Sequence, residues 1–138
     1  MKFVISGNPV TKKNSQKIVT NKKTGRPFIM PSDKYKAYEK VAVKELLVQG
    51  LKYTDFELPI DVPVNVACTY YMATKRKVDL ANLMEATLDI LVEAGIIYDD
   101  NCTIVARMDG SEVRFDKEHP RAEIEITQIL GEKEWPFL

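Results

Sequence analysis

A chain of 138 residues with 20 basic and 20 acidic side chains, formal net charge +0, is long enough to bury a core as one domain without disulfide or metal staples. No stretch approaches the roughly 18 apolar residues of a membrane span, and no basic segment leads into an apolar run of leader length, so a soluble, cytoplasmic protein is expected. The balanced total hides segregation: Lys2, Lys12, Lys13, Lys17, Lys22, Lys23 and Arg26 all precede the first acid, Asp33, which suggests a polyanion at the N-terminal part and cations at the acidic remainder.

Lys2 to Ser6, with Phe3, Val4 and Ile5 ahead of Gly7-Asn8-Pro9, reads as a buried strand ending in a turn. Thr11-Lys12-Lys13-Asn14-Ser15-Gln16-Lys17 follows as a polar loop, either simply solvated or a set of donors for phosphate oxygens. Ile18-Val19-Thr20 and Pro27-Phe28-Ile29-Met30 flank Asn21 to Arg26 and predict a hairpin whose tip carries three cations. Ser32 suits the N-cap of a helix in which Tyr35, Tyr38, Val41, Ala42 and Leu46 recur at helical spacing. It ends near Gly50, and its other face holds Lys34, Lys36, Lys40 and Lys44.

Pro59 and Pro63 bracket a loop, after which Val64, Val66, Cys68 and Tyr70 alternate as a strand. The strand leads through Lys75-Arg76-Lys77 into a helix with Asp79 as N-cap, running to about Ala94, with Gly95 in the left-handed position beyond it. Leu80, Leu83, Met84, Thr87, Leu88 and Leu91 form its apolar side, and Asp79, Asn82, Glu85, Asp89 and Glu93 an acidic ridge. Such a ridge is usually a solvated face. Three cations at the helix start, however, gain nothing from a macrodipole whose N-terminal end is already positive, so an external anion explains them better.

After Asp99-Asp100, Cys102 to Ala106 and Ala122 to Thr127 read as strands, separated by an Asp109-Gly110 turn and a loop from Phe115 to Pro120. The tail from Glu132 to Leu138 either docks Trp135 and Phe137 or hangs loose. Cys68 and Cys102 lie in apolar runs without metal-ligand spacing and read as reduced core residues. His119 reads as an exposed loop histidine, Asn82 as a structural hydrogen-bonder, and Tyr70 and Tyr71 as split between core and surface. The order of elements predicts an α+β fold: a mixed β-sheet packed with two α-helices in a single domain over residues 1–138.

Phosphodiester hydrolysis at neutral pH is hard because the centre is anionic and the leaving alkoxide poor, and carboxylate-held magnesium or manganese addresses both. Asp79, Glu85, Asp89, Asp99 and Asp100 are the available acids. A helix from Asp79 to Ala94 is about 22 Å long, and the five residues from Gly95 to Asp99 reach at most about 16 Å. Folding back within one chain is therefore strained. A two-fold dimer with antiparallel helices instead brings Asp79 of one chain towards Asp99 and Asp100 of the other.

The order basic run, Asp-Leu-x-Asn-Leu, Leu-Asp-x-Leu, Ala-Gly, Asp-Asp resembles the RusA family of Holliday junction resolvases, the crossover junction endodeoxyribonucleases common in phages and prophages. The likeness is dense from Lys75 to Val105 and looser from Ile5 to Lys17, with its Gly-x-Pro-Val-x-Lys-Lys-Asn pattern. It implies a cytosolic α+β homodimer that uses magnesium, replaceable by manganese, to nick two opposed strands of a four-way junction in DNA recombination and repair. By position, Asp79 matches the first catalytic aspartate and Asp100 the aspartate after the helix. Ala81 stands where the family motif has a second aspartate, and Glu85 where it has a functional lysine.

Positions 81 and 85 are one turn apart on one face, so the carboxylate can shift along the helix while Lys75, Lys77 or the N-terminal loop supplies the cation. On this reading Asp79, Glu85 and Asp100 hold magnesium, Asp99 assists catalysis, and Lys12, Lys13, Asn14, Lys17, Lys75, Arg76 and Lys77 hold phosphates. The rivals are a catalytically weakened junction-binding protein and a regulatory module whose acidic ridge docks a basic protein.

Overall fold

The computed structural model describes residues 1–13, 16–55, 57–129 and 135–137; the predicted phosphate contact Asn14 and most of the predicted tail lie outside these. The elements in chain order are β1 (Lys2–Ser6), β2 (Gln16–Thr20), β3 (Pro27–Pro31), α1 (Asp33–Gly50), β4 (Val64–Met72), α2 (Leu80–Glu93), β5 (Val105–Arg107), β6 (Glu112–Phe115) and β7 (Arg121–Gln128). A five-stranded sheet runs β1-β7-β4-β5, with β6 also on β4, while β2 and β3 pair as a separate ribbon. β7 is antiparallel to β1 and β4, and β5 and β6 are parallel to β4, so the sheet is mixed and the fold α+β, as expected.

The period-two alternation of β4 places Val64, Val66, Cys68, Tyr70 and Met72 on one buried face, joined by Ala122, Ile124 and Ile126 of β7 and Phe3 and Ile5 of β1. Ala42 and Leu46 of α1 and Leu83, Ile90 and Leu91 of α2 close the core over them. One polar chain crosses it. The Tyr70 hydroxyl donates to Thr87 Oγ1 at 2.7 Å, and Thr87 Oγ1 donates to the Leu83 carbonyl at 2.9 Å. Burial pushes the Tyr70 phenol pKa far up, so the donor stays protonated and ties α2 to β4.

β1 is an edge strand, and α1 seals it. Glu45 accepts from the Ser6 amide and hydroxyl (3.3 and 2.8 Å), Gln49 accepts from Val4 N–H and donates to its carbonyl (2.7 Å each), and the Tyr53 hydroxyl does the same for Lys2 (2.8 Å each). The match is one of pitch: four helical residues rise about 6 Å and two strand residues about 6.6 Å. Residues 45 and 49 of α1 therefore meet 6 and 4 in step, Tyr53 in the turn after the helix extends the row to Lys2, and the open edge is protected from adventitious pairing.

Five expectations change. The strand predicted from Cys102 is confined to Val105–Arg107, because the Asn101 side chain accepts from Thr103 N–H and Oγ1 (2.9 and 2.6 Å) and winds 101–104 into a turn. Cys102 is consequently exposed, while Cys68 is buried as expected. β6, which was not expected and takes in Phe115, the first residue of the predicted loop, pairs with β4 through its backbone while all four of its side chains are exposed. Val41 is 53% exposed, since α1 turns Tyr35, Ala42 and Leu46 inward, and the stripe of α2 centres on Leu83, Ala86, Thr87, Ile90 and Leu91. Trp135 does dock: its indole donates to the Cys102 carbonyl at 2.7 Å and its ring lies 5.5 Å from that of Phe137. Among the described residues, no helix is long and apolar enough to cross a membrane.

The unit that positions the acids is β4–α2–β5. β4 ends at Met72 beside the basic run, α2 returns the chain over about 20 Å, and β5 starts alongside the beginning of β4, with Val105 opposite Val64. Asp79 and the Asp99-Asp100 pair therefore mark opposite ends of the same crossover.

Candidate active site around helix α2

Past the C-terminal end of α2, Gly95 adopts φ +70°, a conformation a side chain would strain, and lets the chain reverse. Gly95 N–H and Ile96 N–H bond the carbonyls of Val92 and Leu91 (3.0 Å each). Ile60 then clips the outgoing segment, donating to the Ile96 carbonyl and accepting from Tyr98 N–H (2.9 Å each). This fixes Asp99 and Asp100. The Asp99 carboxylate accepts from Asp100 N–H at 2.7 Å and from Asn101 Nδ2 at 3.1 Å. The Asp100 carboxyl is raised above the ordinary carboxylate range, first by partial desolvation, then by the adjoining Asp99 carboxylate and the charge of Asp89.

The charge of Asp89 thus acts on that pair, and its carboxylate meets the N-terminal loop. Lys12 Nζ lies 3.6 Å from Asp89 Oδ2 and Lys13 Nζ 3.2 Å from Glu85 Oε2. Two consecutive lysines of the loop thereby meet two acids one helical turn apart. On α1, the Tyr35 side chain is 1% exposed and its hydroxyl has no hydrogen-bond partner among the described residues. Burial, then the charges of Glu39 and Asp89, push its pKa up, so a neutral phenol faces the acidic region.

The N-terminal end of α2 is built differently. Asp79 occupies the N-cap, but its carboxylate bonds no helix N–H; Oδ2 accepts instead from Asn82 Nδ2 at 3.2 Å, which gives Asn82 its structural role. The Lys75 ammonium stands 5.0 Å over the Phe115 ring. Arg76 and Lys77, with Lys34, Asn8 and Thr74, line a cavity of about 370 Å³. Lys17 pairs with Asp33 at 2.9 Å and holds that carboxyl below its usual range.

The acids expected to share a metal are not brought together within one chain. Asp79 and Asp100 lie at opposite ends of α2, Glu85 faces Lys13, and among the described residues no three metal-ligating side chains converge on one ion. Carboxylate oxygens are the donors that magnesium or manganese prefers, so the chemistry at Asp89, Asp99 and Asp100 suits such an ion while the count in a single chain does not. Lys12 and Lys13 are likewise engaged with carboxylates. Tyr71 carries the Arg121 guanidinium 3.8 Å from its ring centroid, which occupies the face a base would stack on, and His119 is an exposed loop residue as expected. Asp89, an acid of the ridge that the sequence reading did not assign to the metal, is the one that pairs with the loop and whose charge acts on Asp100. Its place in the ridge was visible, but its neighbours were not. Nothing in the sequence marked Tyr35 as more than a core residue.

A family model described as Endodeoxyribonuclease RusA matches residues 6–127, from the end of β1 into β7, and so includes α2 and both flanking acidic positions. No curated protein matches the chain.

Proposed function

The chain belongs to the RusA endodeoxyribonuclease family, and from that premise we propose that it resolves Holliday junctions and related branched DNA by paired nicks, as a homodimer dependent on magnesium, with manganese as a substitute. The observation that carries this reading is the clipped turn that sets Asp99 beside Asp100, where partial desolvation first, then the Asp99 carboxylate and the charge of Asp89, raise the Asp100 carboxyl. Packing does not require such like-charge proximity, and perturbed acids in that situation mark functional sites.

A bound divalent ion would neutralise the crowded carboxylates and act as a Lewis acid on the scissile phosphate. Asp99 is oriented by the Asp100 N–H and Asn101, and Asp100 presents the carboxyl beside it. A single chain supplies too few donors, so the site is completed by the partner subunit's Asp79, carried there by antiparallel α2 helices about a two-fold axis. Lys75, Arg76 and Lys77 at the other end of each helix then hold the phosphates that flank the cut.

A second reading has one observation in its favour: Lys12 and Lys13 neutralise Asp89 and Glu85, as in a protein that binds a junction without cutting it. Incubation with a labelled four-way junction and a matching linear duplex, in magnesium, manganese or EDTA, separates the readings. Symmetric nicks in the junction with either metal, absent in EDTA, support the nuclease. Tight junction binding without cleavage overturns it in favour of the second reading, and equal affinity for junction and duplex overturns both.

A further inference from the structure

Among the described residues, β2 and β3 pair only with each other and stand apart from the main sheet. Their register, Lys17 with Met30, Ile18 with Ile29, Val19 with Phe28, sorts the ribbon into two unlike faces. Lys17, Val19 and Met30 are half-buried on one, with Phe28 beside them 42% exposed. On the other, Ile18 and Ile29 lie directly opposite each other and are 78% and 65% exposed. Large apolar side chains paired at that exposure usually mark an interaction surface.

The tip is ordered and cationic. The Asn21 carboxamide accepts from Lys23 and Thr24 N–H (2.9 and 3.3 Å), Asn21 N–H donates to the Arg26 carbonyl at 2.9 Å, and Gly25 takes φ +70° to close the turn. Lys22, Lys23 and Arg26 project from it exposed, and none has an ion pair among the described residues. The sequence from Gln16 to Pro31 contains no acid. At the root, the Lys17–Asp33 pair and the Ser32 cap of α1 anchor the ribbon.

We propose that the β2–β3 ribbon is a second DNA contact, distinct from the basic run before α2, which enters branched DNA where the strands part. Lys22, Lys23 and Arg26 take phosphates and the Ile18–Ile29 pair rests on the exposed face of an end base. The unpaired cations select a polyanion over an apolar protein surface. A two-stranded ribbon is of a width that a groove admits, and aliphatic side chains wedge against bases wherever stacking is broken. At a branch point the stacking is already interrupted, so the cost of opening it is smallest there. The inference rests on the proposed action on branched DNA.

The test uses the full chain in EDTA, with a four-way junction carrying 2-aminopurine at the crossover and a linear duplex of the same sequence. Wild-type protein should bind the junction more tightly and raise the fluorescence of the probe. Ile18→Thr/Ile29→Thr, which keeps β-propensity, should lower the junction-to-duplex affinity ratio about tenfold and remove the fluorescence rise, leaving the salt dependence as it was. Lys22→Gln/Lys23→Gln/Arg26→Gln should weaken both substrates and reduce the salt slope by roughly two to three. If wild type prefers the junction yet the isoleucine variant keeps ratio and fluorescence, or loses self-association in sedimentation instead, the ribbon is not a DNA wedge. If wild type shows no junction preference, it is the proposed function that fails.

Discussion

The two ends of α2 carry charge for opposite reasons. At the N-terminal end an exposed Asp79 is steadied by Asn82 and followed upstream by three cations, one of them held over Phe115. At the C-terminal end Asp99 adjoins Asp100, the charge of Asp89 adds to theirs, and Lys12 is the cation facing Asp89. The first end pairs its acid with a neutral amide beside exposed cations; the second sets like charges side by side, which a cation, where bound as proposed, would neutralise. On the proposed function, one helix would separate the two halves of the site by its own length, so that neither end is complete in a single chain.

Replacing the most strained acid breaks this contrast most severely. Asp100→Asn should lower junction cleavage on the order of 10²-fold or more, as expected for losing a group that helps supply several kcal/mol of charge stabilisation. Its stability should not fall. The carboxyl pKa is raised in the folded state, so the fold binds the proton more tightly than the unfolded chain, and stability is lost as pH rises through that pKa. Asparagine mimics the protonated form and should remove that part of the pH dependence. Thermal melts from acid to neutral pH check it, and a variant that melts well below wild type at neutral pH would show that Asp100 is structural.

The next test joins the two ends. Asp79→Asn and Asp100→Asn chains, each inactive alone, are mixed and refolded together. With a site shared between subunits, each heterodimer regains one intact site and nicks one strand of the junction. Nicking that fails to return would place both aspartates in the same chain's site or remove Asp79 from it.

Between the ends lies the hinge of their separation, the buried Tyr70–Thr87–Leu83 chain. Thr87→Val keeps the shape but leaves the Tyr70 hydroxyl unpaired, at a cost of about 1–3 kcal/mol. Urea denaturation should show that loss, while cleavage per folded molecule stays near wild type because neither acidic end is touched.

What could be read from the sequence divides along physical lines. α2, β4 and β7 were legible because burial imposes a period, and because Asp79 and Gly95 sit where helix ends need them. β6 was not, since Glu112 to Phe115 buries no side chain and is ordered only by backbone bonds to β4. The turn at Asn101 displaced a strand that composition favoured, through a side chain-to-backbone competition that apolar patterning does not register. The acids and lysines of the site were each identifiable, but ion pairs such as Lys12–Asp89, between residues 77 positions apart, leave no local trace.

The smallest expected effect lies at Glu85, where the resemblance drawn from the sequence would place a lysine. Glu85 and Lys13 are both about half exposed, 50% and 57% by side chain, and such a pair contributes roughly 0.2–1 kcal/mol. Glu85→Gln should therefore leave the melting temperature nearly unchanged while freeing an ammonium for phosphate. In EDTA its affinity for linear duplex should rise a few-fold, with a salt slope larger by about one. Cleavage in magnesium then decides what the carboxylate does. If Glu85 only holds Lys13, activity per bound junction is unaffected; if it takes over from the missing aspartate at Ala81, activity falls with that of Asp100→Asn, and the charged ridge of α2 belongs to the active site along its whole length.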